Sequence, residues 1–209
     1  TLNRPEKKNA LSQELAWAIV GAIDDAAKDD NVWVVAVTGA GDTFCAGLDL
    51  KEFAAIGLKG SAKASLEFPE KLRALFESCN GIEACPKPVI AAVNGMCIGG
   101  GLDIVSACDM RLCTEDASFS LREAAIGLVA DMGVLQRLPH VIGQGFTREM
   151  AFTARFCKAK EALAMGLVSA VYPDQPALLE GAKKLARQIA ANAPLAVQAT
   201  KEVLNASRH

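Results

Sequence analysis

Three consecutive glycines, Gly99, Gly100 and Gly101, restrict what this chain can fold into more than any other stretch. They follow Val89-Ile90-Ala91-Ala92-Val93, which has the pattern of a buried strand. Ile104-Val105-Ser106-Ala107-Cys108, just downstream, reads as a short buried helix. Glycine at a strand-to-helix corner lets the backbone turn sharply and lets a ligand approach the main chain. The first turn of a helix carries unpaired N–H groups and a partial positive charge. Such a corner can hold an anion, or an oxygen that becomes one during a reaction. A plain turn with no ligand would use the same residues. Asp103, one turn into the helix, places a titratable group at the corner and favours chemistry.

The rest of the chain alternates between strand and helix patterns. Residues 12–28 repeat apolar positions at three and four (Leu11, Leu15, Ala18, Ile19, Ala22, Ile23, Ala26), with Ser12 as N-cap and Glu14 in the first turn. Val32 to Thr38 is a continuous β-branched run, expected to be a buried strand. Ala46-Gly47 is a small-residue turn before another helix, residues 56–61 read as a mobile loop, and residues 66–79 as a helix with Pro69 near its start. Short strands are expected at 110–113, 118–121 and 167–171. Helices are expected at 134–138, 146–153, 160–165, 177–191 and 195–205. Strand and helix in alternation imply an α/β layer fold with parallel pairs.

Composition sets the remaining bounds. The 209 residues, 51% apolar, can build one domain with a sizeable core. No apolar run reaches membrane-span length. The net charge of −2 without a basic tract argues against nucleic acid as partner. Seven cysteines without a C-x-x-C pair, mostly in apolar settings, read as reduced core thiols of a reducing compartment. The opening Thr1-Leu2-Asn3-Arg4-Pro5 looks like the middle of a domain, so a first strand is expected upstream.

The inventory of reactive groups is short. There are two histidines, no G-x-S-x-G, no metal-ligand spacing, no P-loop and no G-x-G-x-x-G. What is left is carboxylates and backbone amides, a pair suited to proton transfer beside a carbonyl: amides hold the enolate oxygen while carboxylates move the proton. Asp103, Glu123 and Asp131 are the candidates, each set among apolar neighbours where burial would raise its pKa. Asp24, Asp25 and Asp29 fall on polar helix faces.

Taken together, these stretches resemble the crotonase (enoyl-CoA hydratase/isomerase) superfamily over essentially the whole chain. Asn3-Arg4-Pro5 with Asn9-Ala10-Leu11 is similar to its opening motif. Phe44-Cys45-Ala46-Gly47-Leu48-Asp49-Leu50 resembles the loop that gives the first oxyanion amide, here Leu48 N–H. Asn94-Gly95 with Gly99-Gly100-Gly101 resembles the second, here Gly100 N–H. The resemblance implies a spiral of ββα units over residues 1–190, with a C-terminal helical region beginning at 191–209 and continuing beyond His209 in relatives. It also implies an acyl-CoA thioester held by Ala46, Gly47, Leu48, Asp49, Leu50 and Gly100, with coenzyme A as part of the substrate and no separate cofactor or metal. A homotrimer or homohexamer is implied too, in a mitochondrial or peroxisomal matrix or a bacterial cytoplasm.

Within the family, the acids select the reaction. Hydratases carry glutamates at the positions of Asp103 and Glu123 and glycine at that of Asp131. The set Asp103, Glu123 and Asp131, with Ala130 to Pro139, resembles the Δ3,5-Δ2,4-dienoyl-CoA isomerase branch of fatty acid β-oxidation. There the expected chemistry is loss of a C2 proton and protonation at C6. Which of Glu123 and Asp131 does which is left open, and Asp103 orients or tunes them. An enoyl-CoA hydratase, and a non-catalytic acyl-CoA- or RNA-binding member, are the alternatives.

Overall fold

The computed structural model describes residues 1–57 and 62–207, with side chains for 1–54 and 72–207. A helical turn at Pro5–Lys7 opens the chain, and α1 (Gln13–Lys28) follows. Ser12 caps α1 as expected, its hydroxyl accepting from Leu15 N at 3.1 Å. The buried face of α1 is Leu15, Ala16, Ile19 and Ile23. Ala18 and Ala22, expected there too, are exposed.

From α1 onward the chain switches between two sheets. β1 (Val35–Thr38), β3 (Val89–Val93), β5 (Met110–Thr114) and β8 (Ala170–Tyr172) form one sheet in that order, all neighbours parallel. β2 (Thr43–Cys45), β4 (Met96–Ile98), β6 (Ser118–Ser120) and β7 (Cys157–Lys158) form the other, antiparallel only between β6 and β7. α2 (Leu50–Gly57) and α3 (Ala62–Ala84) return the chain from β2 to β3, and α4 (Gly100–Ala107) returns it from β4 to β5. The first three turns of the spiral are therefore strand, strand, helix, the ββα repeat implied by the resemblance, while in the last a short helix, residues 159–164, separates β7 from β8.

β3 decides where the core sits. Val89, Ala91 and Val93 face the main core, and Ile90 and Ala92 face a second cluster with Leu112, Leu178 and Ala182. With a period of two and both faces covered, the strand is apolar throughout. The second face is covered by α8 (Gln175–Ala190).

The remaining elements are α5 (Val134–Arg137), α6 (Pro139–Thr153), α7 (Ala159–Ala164) and α9 (Pro194–Ala206). α9 is anchored by Lys201, which is buried and donates to Asp109 Oδ2 at 2.7 Å, Lys87 O at 3.2 Å and Ile82 O at 3.3 Å.

Several expectations need correction. The Val32–Thr38 strand is only Val35–Thr38, and it lies half-buried at the edge of its sheet, with Trp33 exposed before it. An edge strand has one neighbour to cover it, and its apolar sequence did not report that. The glycine triplet does not follow Val93 directly, because β4 intervenes in the other sheet. Pro69 lies inside α3, not near its start, and α6 is broken at Gly143 (φ 76, ψ 162), so the helix expected at 146–153 is its second part and a further helical turn from Pro139 precedes it. The last strand is Ala170–Tyr172 in place of residues 167–171. Of the loop expected at 56–61, Ile56 and Gly57 end α2, and 58–61 lie outside the described residues.

Candidate active site

Asn94-Gly95, between β3 and β4, joins the two sheets. Asn94 Oδ1 accepts from Gly39 N at 3.0 Å and Thr38 Oγ1 at 3.1 Å, while its Nδ2 donates to Gly41 O at 3.0 Å. Gly95 has φ +62, and a Cβ there would stand 2.0 Å from Asp42 O, so no other residue fits without moving backbone. This turn fixes where β4 runs, and β4 delivers the glycine triplet. Gly99 is the N-cap of α4 with φ 50 and ψ −120, and Gly100 is the first helical residue. Every residue of α4 is buried.

The other corner is the loop after β2. Leu11 N donates to Gly47 O at 2.8 Å, and Asp49 N to Leu11 O at 2.9 Å, so the N-terminal segment grips both flanks of Leu48. Arg4 adds to the grip, with Nη1 on Ala10 O at 2.7 Å and Nη2 on Asp49 Oδ2 at 3.3 Å. Asn9, buried with φ 52, donates to Thr43 O at 2.6 Å and Ala40 O at 2.9 Å. Inside the loop, Gly47 N donates to Cys45 Sγ at 3.4 Å.

The two corners meet. A Cβ on Gly100 would lie 3.8 Å from Leu48 N, and one on Gly47 would lie 3.7 Å from Gly100 N. Among the described residues, neither the Leu48 nor the Gly100 N–H has a main-chain acceptor. Gly100 also abuts Leu11 and Met132, at 2.8 and 3.7 Å from where its Cβ would stand. Two donors side by side at the buried start of a helix form a local positive potential. Ala46, Asp49 and Leu50 border the same corner, half-buried, half-buried and exposed respectively.

The acids stand around it. Glu123 begins a helical turn, Glu123–Ile126, that follows β6, and its Oε1 would be 2.9 Å from a Cβ on Gly99. Its Oε2 is buried and has no hydrogen-bond partner among the described residues. Burial, with a smaller contribution from the charge of Asp131, pushes the Glu123 carboxyl up from its ordinary range. Asp103 lies on α4 at 1% exposure, and its Oδ1 accepts from Val134 N at 2.9 Å. Burial raises its pKa to about 7, against the opposing effect of that hydrogen bond. The Glu123 and Asp131 charges add to that rise and Arg137 counters it, within the same value of about 7.

Asp131 departs from expectation. Its loop leaves it exposed, along with Ile126, Leu128 and Val129. The apolar run suggested burial, yet those side chains face outward. Asp103 is thus buried on the helix that starts at the corner, Glu123 stands half-buried beside Gly99, and Asp131 lies exposed, close enough for its charge to act on both.

Three contributors carry little signal in the sequence. Asn9 and Arg4 were noted only as part of a motif, not as the clamp on Leu48. Arg137, a lone cation in the apolar run Val134 to Leu138, is buried and forked onto α3. That charge inside an apolar run was the available signal. All seven cysteines are buried and free, and burial raises the thiols of Cys45 and Cys108 to about 12. No group of His, Cys, Asp and Glu that could hold a metal occurs among the described residues, and no described helix is long and apolar enough to cross a membrane.

A spiral of alternating sheets carries two backbone amides at the start of one buried helix, with the buried Asp103 on that helix and the half-buried Glu123 beside Gly99. The chain belongs to the enoyl-CoA hydratase/isomerase family, whose model matches residues 1–209. It is 47% identical to the human protein named Delta(3,5)-Delta(2,4)-dienoyl-CoA isomerase, mitochondrial, over 99% of this chain and 65% of that one. It thus spans somewhat less than two-thirds of that relative. The Arabidopsis thaliana protein of the same name, peroxisomal, is 40% identical over 99% of this chain and 76% of its own length. Among solved structures, an enoyl-CoA hydratase from Bacillus anthracis superposes with a TM-score of 0.88 at 37% identity, covering 97% of this chain and 76% of that chain.

Proposed function

We propose that this protein is a Δ3,5-Δ2,4-dienoyl-CoA isomerase of fatty acid β-oxidation. The observation that carries the reading is the buried, unpartnered Oε2 of Glu123, 4.0 Å from where a Cβ on Gly99, the residue before Gly100, would stand. A buried polar atom without a partner costs free energy, and a substrate group supplies the partner. The names of the human and Arabidopsis relatives support the choice of reaction.

In the proposed cycle, a 3,5-dienoyl thioester lies with its carbonyl oxygen between the Leu48 and Gly100 N–H groups. Ala46, Gly47, Asp49 and Leu50 line the coenzyme A side. One carboxylate takes a proton from C2. The electron pair of that C–H bond spreads through the conjugated system onto the thioester oxygen, where the two amides hold it. The pair then returns through the chain to form a bond between C6 and a proton delivered by a second carboxyl. One proton has been gained and one given, and the double bonds end at C2 and C4. Glu123 and Asp131 are the two acids, and Asp103 tunes them. The exposed position of Asp131 suits contact with the far end of the acyl chain, and Ile126, Leu128 and Val129 offer that chain an apolar wall. The functional assembly is a homotrimer or homohexamer. The seven free cysteines fit a reducing compartment, such as an organellar matrix or a bacterial cytoplasm.

The test is an ultraviolet assay of 3,5-dienoyl-CoA and 2-enoyl-CoA side by side. Asp131→Asn and Glu123→Gln should each lower dienoyl turnover by about 10²–10⁴-fold, and the double variant should fall far short of the product, since both acids act in one shuttle. Acyl-CoA affinity should hold. If Asp131→Asn keeps most of its dienoyl turnover, the reading fails and enoyl-CoA hydration takes its place.

A further inference from the structure

The loop that carries Asp131 is held at two points. Val134 N, three residues on, donates to Asp103 Oδ1 at 2.9 Å. Met132 O, one residue on, accepts from Arg137 Nη1 at 2.9 Å. The guanidinium that makes the second contact belongs to a residue 7% exposed, and its other two nitrogens are engaged as well. Nε donates to Glu83 Oε2 at 2.9 Å, and Nη2 to Asn80 Oδ1 at 2.8 Å. Asn80 and Glu83 both lie on α3, so the guanidinium ties the loop to a long helix of the core.

Gly133 completes the device. It has φ +104, and a Cβ there would stand 2.1 Å from Arg137 Nη1 and 2.8 Å from Cζ. The Nη1 end of the guanidinium therefore packs on the bare backbone of Gly133, in space a Cβ would fill. A loop this short, with both flanks of one glycine fixed, has little freedom left at Asp131. The side chain of Asp131 itself is exposed, so the neighbouring main chain is what places it.

We propose that Arg137 is a positioning residue for the isomerase reaction: with Asn80 and Glu83 it locks the Met132–Gly133 peptide, and so sets the reach of the Asp131 carboxyl toward the substrate. It touches no reacting atom. The inference rests on the isomerase reading for its catalytic consequence, and on the hydrogen bonds alone for its structural one.

The experiment compares the wild-type protein with Arg137→Met, Glu83→Gln, Asp131→Asn and Arg137→Met/Asp131→Asn. It reads kcat and KM on 3,5-dienoyl-CoA, binding of a saturated acyl-CoA, and amide hydrogen exchange over residues 128–138. A misplacement of about 1 Å costs on the order of 10²-fold in rate, so Arg137→Met should lower kcat by about that factor with KM and acyl-CoA binding unchanged. In the Asp131→Asn background the same change should do almost nothing. Exchange should rise at 131–134 and stay flat in the second half of α6. Glu83→Gln keeps an acceptor and the side-chain shape, and should give a smaller fall in kcat of the same kind if Arg137→Met does not fold. Equal losses with and without Asp131, or unchanged kcat and unchanged exchange in either variant, would overturn the proposal. A wild-type protein inactive on the dienoyl substrate would count against the isomerase reading, and the exchange data would still decide whether Arg137 holds the loop.

Discussion

Replacing Asp103 by asparagine should stabilise this protein, and by an amount that grows with pH. Asp103 is almost wholly buried on α4, and burial raises its carboxyl from 3.8 to about 7. A folded state whose acid has a raised pKa holds its proton longer than the unfolded chain does. Below about pH 4 both states are protonated and the residue contributes no difference. Between about pH 4 and pH 7 the unfolded chain ionises first, so stability falls as pH rises. At about 1.4 kcal/mol for each tenfold step, a rise from 3.8 to about 7 makes a penalty of about 4 kcal/mol, complete above pH 7. Asparagine cannot ionise, and its Oδ1 can still accept from Val134 N, so the hydrogen bond survives while the penalty goes. Urea unfolding of both proteins from pH 4 to pH 8, at one protein concentration, should show stabilities that lie close near pH 4, diverge up to about pH 7 and keep a constant gap beyond it. A gap independent of pH, or an Asp103→Asn protein less stable at pH 8, would refute the reasoning. A residue kept at such a cost fits a functional acid, because stability is commonly given up at active sites.

Two further outcomes follow from the same geometry. Gly99→Ala would place a Cβ 2.9 Å from Glu123 Oε1 in a conformation with φ +50 that L residues seldom adopt. It should cost about 1–3 kcal/mol in stability, and turnover should fall by about 10²-fold as Glu123 shifts; denaturation and the dienoyl assay read the two effects, and wild-type turnover would contradict this. Lys201→Met would leave Asp109 Oδ2, among the described residues, with the Val89 N–H, 2.7 Å away, as its remaining partner in a half-buried setting. Losing a charge-assisted hydrogen bond costs about 1.5–3 kcal/mol, so the midpoint of thermal unfolding should drop by several degrees, and an unchanged midpoint would show that α9 does not depend on this anchor.

The sequence by itself determined the identity of the elements and the chemistry available to them. β3 was legible because both its faces are buried, which leaves an unbroken apolar run. α1 was legible from its three-and-four spacing and Ser12, and the reactive inventory could be narrowed to amides and acids by elimination alone. Local patterns carry such information because each depends on residues a few positions apart.

What only the tertiary structure decided was who meets whom. That Leu48 N and Gly100 N share a corner depends on Asn94 and Asn9 joining segments 30 to 60 residues apart, for example Asn94 to Gly39 across 55 positions and Asn9 to Thr43 across 34. No local spacing records such a contact. Exposure was the other hidden quantity. Val32–Thr38 and the loop around Asp131 are equally apolar in sequence, yet one is an edge strand and the other a rim facing outward. Hydrophobicity states what a side chain would gain from burial, and only the packing of the remaining chain determines whether anything stands there to bury it.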